Sequence, residues 1–278
     1  MFIIMKLAIM QPYFFPSIRY FQLMKNVDRW IVFDEVQFID KGWINRNRVL
    51  HPDAKKDWIY IAIPLKNRRR FDKINKINID GTQDWKSVIL GRLSNYKKKA
   101  PYYNRTIDLV KACLAYNESN LALFVINSLR LVASELGINI KMDVQSQLAL
   151  NLGRIDHPGQ WAVKISEALG ATEYLNPSSG YSLFREDEFS SRNIKLRFLK
   201  SRLTPYRQRR DGFVSGLSIV DVMMWNSNTE ILNMVRHDFD ILSQGELANE
   251  QNRRLVIHTN EIPDSSGKLS FGNKPDAT

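Results

Sequence analysis

Three short stretches decide the fold class: Lys6-Leu7-Ala8-Ile9-Met10, then Gln11-Pro12-Tyr13-Phe14-Phe15-Pro16-Ser17, then Arg29-Trp30-Ile31-Val32-Phe33. The first is an apolar run halted by Gln11-Pro12 and reads as a buried strand. After the aromatic turn, Ser17 is placed to cap a helix over about residues 18–26, with Ile18, Phe21, Leu23 and Met24 apolar. The third stretch is a second buried strand, ending at Asp34-Glu35. Strand, turn, helix and strand within 35 residues is a βαβ unit, which predicts a right-handed crossover and an α/β fold on a mostly parallel sheet.

Outward from this unit, Trp58 to Pro64 reads as another strand, ended by a proline that cannot donate to a ladder. The centre reads as an added helical region at about 82–136. Thr82 is placed to cap a helix to about Lys99, and two further helices cover about 105–116 and 119–136, the last closed by Gly137. Strands follow at Ile138–Val144, Thr172–Leu175 and Lys195–Leu199, with a helix from Pro158 to Leu169 closed by Gly170. A turn at Asn176–Gly180 and helices after Ser218 and from Thr229 complete one α/β domain over 1–245. Residues 246–278 lose apolar periodicity and fill with Asn, Asp, Ser, Gly and Lys, a composition that predicts a disordered tail. There is no internal repeat.

The 278 residues are 44% hydrophobic and 25% charged, which excludes a wholly disordered or collagenous chain. Cys113 is alone, so neither an intramolecular disulfide nor a thiolate zinc cage can form. His51, His157, His237 and His258 show no metal-ligand spacing, and no metal site is expected. The apolar run from Met1 to Met10 is broken by Lys6 and too short to span a bilayer, and no later segment reaches the roughly 20 apolar residues needed. It also lacks the basic region and cleavage site of a signal peptide, so a cytoplasmic protein without stable membrane insertion is expected. Met5 offers a second start beside Met1.

In an open α/β sheet, ligands bind beyond the carboxyl ends of the strands, near helix N-termini. That rule selects Gln11–Tyr20, Asp34–Arg48 and Asn176–Tyr181. The middle segment contains Lys41-Gly42-Trp43-Ile44-Asn45-Arg46-Asn47-Arg48, with three cations, two amides and an indole in eight residues. Guanidinium forks match phosphate or carboxylate oxygens, and Asn both donates and accepts. In the first segment Phe14 and Phe15 read as packing at a rigid turn, whereas an amide at a strand terminus, Gln11, is poorly explained by packing. Seven cations and no acid fall between 195 and 210. Lys195 and Arg197 read as one exposed strand face, Asn67-Arg68-Arg69-Arg70 as a solvated loop, and Cys113 as buried filler on an apolar helix face. With a formal net charge of +11, the chain favours an anionic partner. No phosphate-binding loop, dinucleotide fingerprint or nucleophile elbow is present.

Gln11 to Pro16 with Tyr20-Phe21-Gln22-Leu23, then Asp34, Val36-Gln37 and Gly42 to Asn47, closely resembles the WbqC-like family. Trp58 to Leu65, Tyr96 with Ala100 to Tyr103, Gly170-Ala171 with Tyr174-Leu175, and Tyr206, Gln208, Phe213, Gly216 to Ile219 and Asp221 continue the resemblance over about 5–235. Family members occur among genes for bacterial O-antigen and other surface polysaccharides, with a suggested role in adding an amino acid, glycine in particular, to an amino sugar. Ser17-Ile18-Arg19-Tyr20 departs from the family's Tyr-Ile-Gly-Tyr stretch, which is similar to the His-Ile-Gly-His motif of adenylating α/β enzymes. That likeness implies a nucleotide-binding, HUP/Rossmann-like topology. Arg19, at the glycine position, either adds an anion contact or blocks the pocket.

The resemblance implies a transferase or ligase forming an amide between an amino acid, or a similar acyl group, and a nucleotide-linked amino sugar in surface polysaccharide (lipopolysaccharide) biosynthesis. On this reading Lys41, Asn45, Arg46 and Asn47 hold the anionic donor or the nucleotide diphosphate, with Tyr13, Arg19, Tyr20 and Trp43 beside them. Gln11 and Asp34 orient the reacting groups, Asp34 assisting deprotonation of the amine. Ser178, Ser179 and Tyr181 close the pocket, and Tyr206, Gln208 and Asp221 are second choices. An acyl group activated in place requires ATP and Mg²⁺; one delivered on aminoacyl-tRNA or coenzyme A does not. The alternatives are a non-catalytic nucleotide- or RNA-binding protein using Trp43, Tyr13 and Arg46, and a nucleotidyltransferase acting on a sugar phosphate.

Overall fold

The computed structural model describes residues 4–250 and residue 253. In chain order the strands and helices are β1 (Lys6–Met10), α1 (Ile18–Lys25), β2 (Arg29–Val32), β3 (Arg46–Leu50), β4 (Trp58–Ala62), β5 (Leu65–Lys66) and β6 (Asn78–Ile79). Then come α2 (Trp85–Leu93), α3 (Tyr103–Ala115), α4 (Leu121–Glu135), β7 (Lys141–Val144), α5 (Gln160–Ala168), β8 (Glu173–Pro177), α6 (Glu186–Ser190), β9 (Lys195–Ser201), α7 (Ile219–Trp225), α8 (Asn228–His237) and β10 (Phe239–Leu242).

The central sheet has six strands in the order β10-β9-β8-β1-β2-β7. All pairings are parallel except β9 with β10. The strands are apolar on both faces because both faces are covered, as parallel sheets require. Ala8, Trp30, Val32, Leu175 and Leu199 enter one core with α1, α4, α7 and α8. The alternate residues Leu7, Ile9, Ile31, Tyr174 and Phe198 enter a second core with α5 and Phe189 of α6. From β1 the chain builds outward through β2 and β7, then returns to add β8 on the other side of β1. The reversal therefore lies between β1 and β8.

Several expected elements fall elsewhere. Asp84, not Thr82, caps α2 by accepting from the Ser87 amide, while Thr82 is bound into a turn by Asp80. That helix ends at Leu93 and tightens into a 3₁₀ turn over 94–96 instead of running to Lys99. Ser17 occupies the N-cap position of α1, yet its hydroxyl makes no capping bond. Asp34–Arg48 is not wholly loop, since β3 begins at Arg46 and pairs antiparallel with β4. Asn176 and Pro177 belong to β8, and 178–183 form a 3₁₀ helix. Residues 244–250 are helical and Leu247 is buried in the second core, so the tail expected from 246 is ordered to 250. The remainder of that stretch lies outside the described residues, apart from residue 253. Among the described residues no helix is long and apolar enough to cross a membrane.

Candidate functional site

The carboxyl ends of β1, β2, β7 and β8 form one rim. The Phe33 amide donates to the Met10 carbonyl at 2.8 Å, which puts Gln11 and Asp34 at adjacent strand ends. Ser178 and Ser179 follow β8 on the other side of β1, Ser179 exposed and Tyr181 half-buried against the second core. The turn after β1 is fixed from three directions. Asn47 Nδ2 donates to the carbonyls of Phe14 (3.1 Å) and Phe15 (2.9 Å), Ser218 Oγ donates to Phe15 O (2.7 Å), and the Phe14 amide donates to Trp43 O (3.0 Å). Phe15 sits at φ +42°, a left-handed conformation that a β-carbon disfavours, so these bonds hold a strained turn.

This geometry reassigns four predicted ligand contacts. Asp34 is 2% exposed, and its carboxylate accepts from Ser146 N (3.0 Å) and Ser146 Oγ (2.6 Å), which ties β2 to the 3₁₀ turn after β7. A carboxylate so committed is a structural cap, not a general base. Asn47 is buried and spent on the aromatic turn. Tyr20 is buried, its hydroxyl donates to Gln11 O at 3.0 Å, and burial pushes its pKa well up, so it braces the rim from below. Asp221 is likewise interior. Gln11 and Tyr13 stay half-buried at the rim, and Arg19 is exposed on α1.

Beside the rim, Phe38, Asp40, Lys41, Asn45, Arg46, Leu65 and Arg68 line a cleft of about 390 Å³. The sequence pattern anticipated Lys41, Asn45 and Arg46. Arg46 lies over the Tyr60 ring (4.3 Å) and donates to Lys41 O (2.7 Å) and Gly42 O (3.3 Å), holding Lys41 at φ +60°. Asn45 Nδ2 donates to Ile63 O at 2.8 Å. Arg68, read as part of a solvated loop, pairs with Asp40 and stacks on Phe38 at 4.8 Å. Only the tertiary fold brings it to Arg46. Trp43 does not line this cleft but stands next along the same face of the hairpin: Arg48 stacks on it (5.0 Å) and on Trp58 (5.3 Å), Trp58 meets the Tyr60 ring under Arg46 (4.7 Å), and Arg48 Nη2 donates to Gly216 O.

The second-choice residues meet at a different place. Asp221, in the first turn of α7, is 0% exposed and accepts from Tyr96 Oη (2.5 Å), Tyr206 Oη (2.6 Å) and Gln208 Nε2 (3.4 Å). Tyr96 Oη also accepts from the Leu50 amide at the end of β3. Burial lifts the Asp221 carboxyl to about 6 against the pull of its hydrogen bonds, and burial and the neighbouring carboxylate push both phenols well up. Tyr96 is the member that the site reading missed: the resemblance includes it, but no local pattern ties it to a carboxylate 125 positions away. Cys113 is buried, and its thiol is pushed up to about 12 by desolvation, which fits inert filler.

The family model for WbqC-like proteins matches residues 11–232. A protein of Mycobacterium tuberculosis (strain ATCC 25618 / H37Rv), named uncharacterized protein Rv1507c, is 28% identical over 234 residues, covering 84% of this chain and 98% of that protein. No solved structure matches significantly. The match takes in the rim, the cationic cleft and the Asp221 cluster together: the chain belongs to the WbqC-like protein family.

Proposed function

We propose that the protein is a transferase or ligase that joins an amino acid, or a similar acyl group, to the amine of a nucleotide-linked amino sugar. The observation that carries this reading is the cleft in which Lys41, Arg46 and Arg68 outnumber Asp40 between the apolar walls Phe38 and Leu65. Guanidinium and ammonium groups suit a diphosphate, and an apolar wall suits the faces of a sugar or base. The sheet supports it as well. Numbered in chain order, its strands read 3-2-1-4-5-6, the order of doubly wound nucleotide-binding folds, whose ligands sit where the order reverses. Gln11 stands at that reversal and would orient the acyl carbonyl, with Ser178 just past the end of the neighbouring strand β8.

In the reaction the neutral amine attacks the acyl carbonyl, a C–N bond forms, and the leaving group departs with its electron pair as the amine loses a proton. Since Asp34 is held by Ser146, the chain's contribution is positioning and charge stabilisation. The test is incubation of the purified chain with nucleotide amino sugars and amino acids, with and without ATP. Mass spectrometry should show product heavier by the amino acid less one water. Arg68→Ala should weaken sugar-nucleotide binding about tenfold and leave Tm within about 2 °C, because its partner Asp40 is exposed. A folded wild type that neither binds nor converts any nucleotide amino sugar overturns the reading.

A further inference from the structure

The amino-terminal end of β3 borders the cationic cleft, and its other end borders a second cavity, of about 320 Å³, roughly 14 Å further along the strand. His51, Tyr96, Lys99, Arg209, Arg210 and Trp225 are among its walls. None of the reaction steps above uses it. Three features of this cavity converge on one ligand chemistry.

The first feature is aromatic. The half-buried Trp225 ring and Tyr96 stand 5.9 Å apart, and Tyr96 is immobilised by its bonds to Asp221 and the Leu50 amide. Fixed rings beside an open volume suit a flat partner. The second is a fixed wall that carries a donor. The Arg210 guanidinium is bound to the carbonyls of Ala54, Lys56 and Asp57, which ties the turn bearing Arg209 to the loop after β3. His51 Nδ1 already accepts from the Asp53 amide, which leaves the other ring nitrogen as a donor.

The third feature is charge. Lys99 and Arg209 are exposed at the walls, and the flanking turns add Lys55, Lys56, Lys97, Lys98 and Arg207. With Arg210 these make eight cations against Asp53, Asp57 and Asp211, in a chain whose whole excess is +11. A cationic collar around a cavity with an aromatic wall and a ring-nitrogen donor selects phosphates attached to a flat ring.

We infer that this cavity is a second ligand site, separate from the cleft at Lys41, Arg46 and Arg68, and that it takes a nucleoside phosphate with the base against Trp225 and Tyr96 and the phosphates on Lys99 and Arg209. That chemistry has two sources, a free nucleotide or the end of a single-stranded RNA, and the collar suits either. The inference stands whether or not the protein forms an amide.

The experiment is calorimetric titration of the full chain with AMP, ATP and a ten-residue oligoadenylate, each at several salt concentrations. Binding should saturate, and the double variant Lys99→Glu/Arg209→Glu should weaken it about tenfold or more. Both positions are exposed, so the fold is retained. Trp225→Leu should remove the ring on which the base is placed and weaken binding while keeping an apolar side chain at the position. A free nucleotide as the source gives AMP or ATP binding with a shallow salt dependence. An RNA end gives tighter oligoadenylate binding whose log affinity falls by about 0.7 per phosphate contact for each log unit of salt. No saturable binding by any probe overturns the inference. So does binding that survives the double charge reversal but is lost in Arg68→Ala, since it would then belong to the other cleft.

Discussion

Asp221 is ionisable, wholly buried, and held by two phenols and an amide. Its carboxyl titrates at about 6 because burial penalises the charged form more than the hydrogen bonds support it. In the unfolded chain it titrates near its ordinary 3.8, so between about pH 4 and 6 the native state holds the extra proton. Its contribution is therefore fully present below about pH 4 and lost as pH rises through about 6, a difference on the order of 3 kcal/mol. Asp221→Asn removes the charge and keeps the shape. Urea unfolding at a series of pH values should show the wild type gaining on this variant as pH falls from 7 to 4; a constant gap would contradict the assignment. At this scale the sequence was only partly legible. Lys41, Asn45 and Arg46 could be picked out because cations and amides crowd one short stretch. The commitments of Asp34 to Ser146 and of Asn47 to Phe14 and Phe15 could not, because their partners lie 112 and about 32 residues away. A carboxylate or amide at a strand end looks the same in sequence whether it meets a substrate or a distant backbone group.

Among elements, the joint between β1, β3 and α7 governs the shape of the rim. The Phe14–Phe15 turn is bonded to Asn47 on β3 and to Ser218 at the cap of α7, and Ser218 N in turn donates to Arg48 O at 2.8 Å. Asn47→Ala leaves the Phe14 carbonyl without this donor and should cost about 2 kcal/mol in urea unfolding with an unchanged slope. Ser218→Ala removes both a helix cap and the other donor to Phe15, at about 1–2 kcal/mol. Because both donors serve the Phe15 carbonyl, the double variant should depart from additivity by more than about 0.5 kcal/mol. Strict additivity would show that the two bonds do not act on one strained turn. Elements announced by their own residues were readable: β1, α1, β2 and the αL glycines Gly137 and Gly170 at φ +63° and +70°. The capping of α2 by Asp84 instead of Thr82 turned on a competing turn at Asp80. β3, β5, β6 and β10 owe their existence to partners, and a two-residue strand such as β5 has no pattern of its own to read.

For the whole molecule, the order of the chain and the order of contact diverge. Between β2 and β7 it makes an excursion of two hairpin-like pairs and three helices before returning to the sheet. An insertion of that length could fold as a separate unit, but its apolar residues do not form a separate core. Ile61, Ile89, Leu121 and Leu129 of the excursion share one continuous cluster with Ala8, Trp30, Leu175 and Ile219. Polar links cross the same boundary: Tyr96 to Asp221, Arg105 to the carbonyls of Met223 and Asn226, and Asn47 to Phe14. Removing either part would expose the buried face of the other, so the described region should unfold in one step. Urea transitions followed by far-UV circular dichroism, by tryptophan fluorescence and by amide exchange in α4 and β1 should share one midpoint. Separated midpoints, with α4 losing protection before β1, would show that the excursion is an autonomous layer. The cleft at Arg46 and the cavity at Trp225, both walled by it, would then be flexible sites instead of preformed ones.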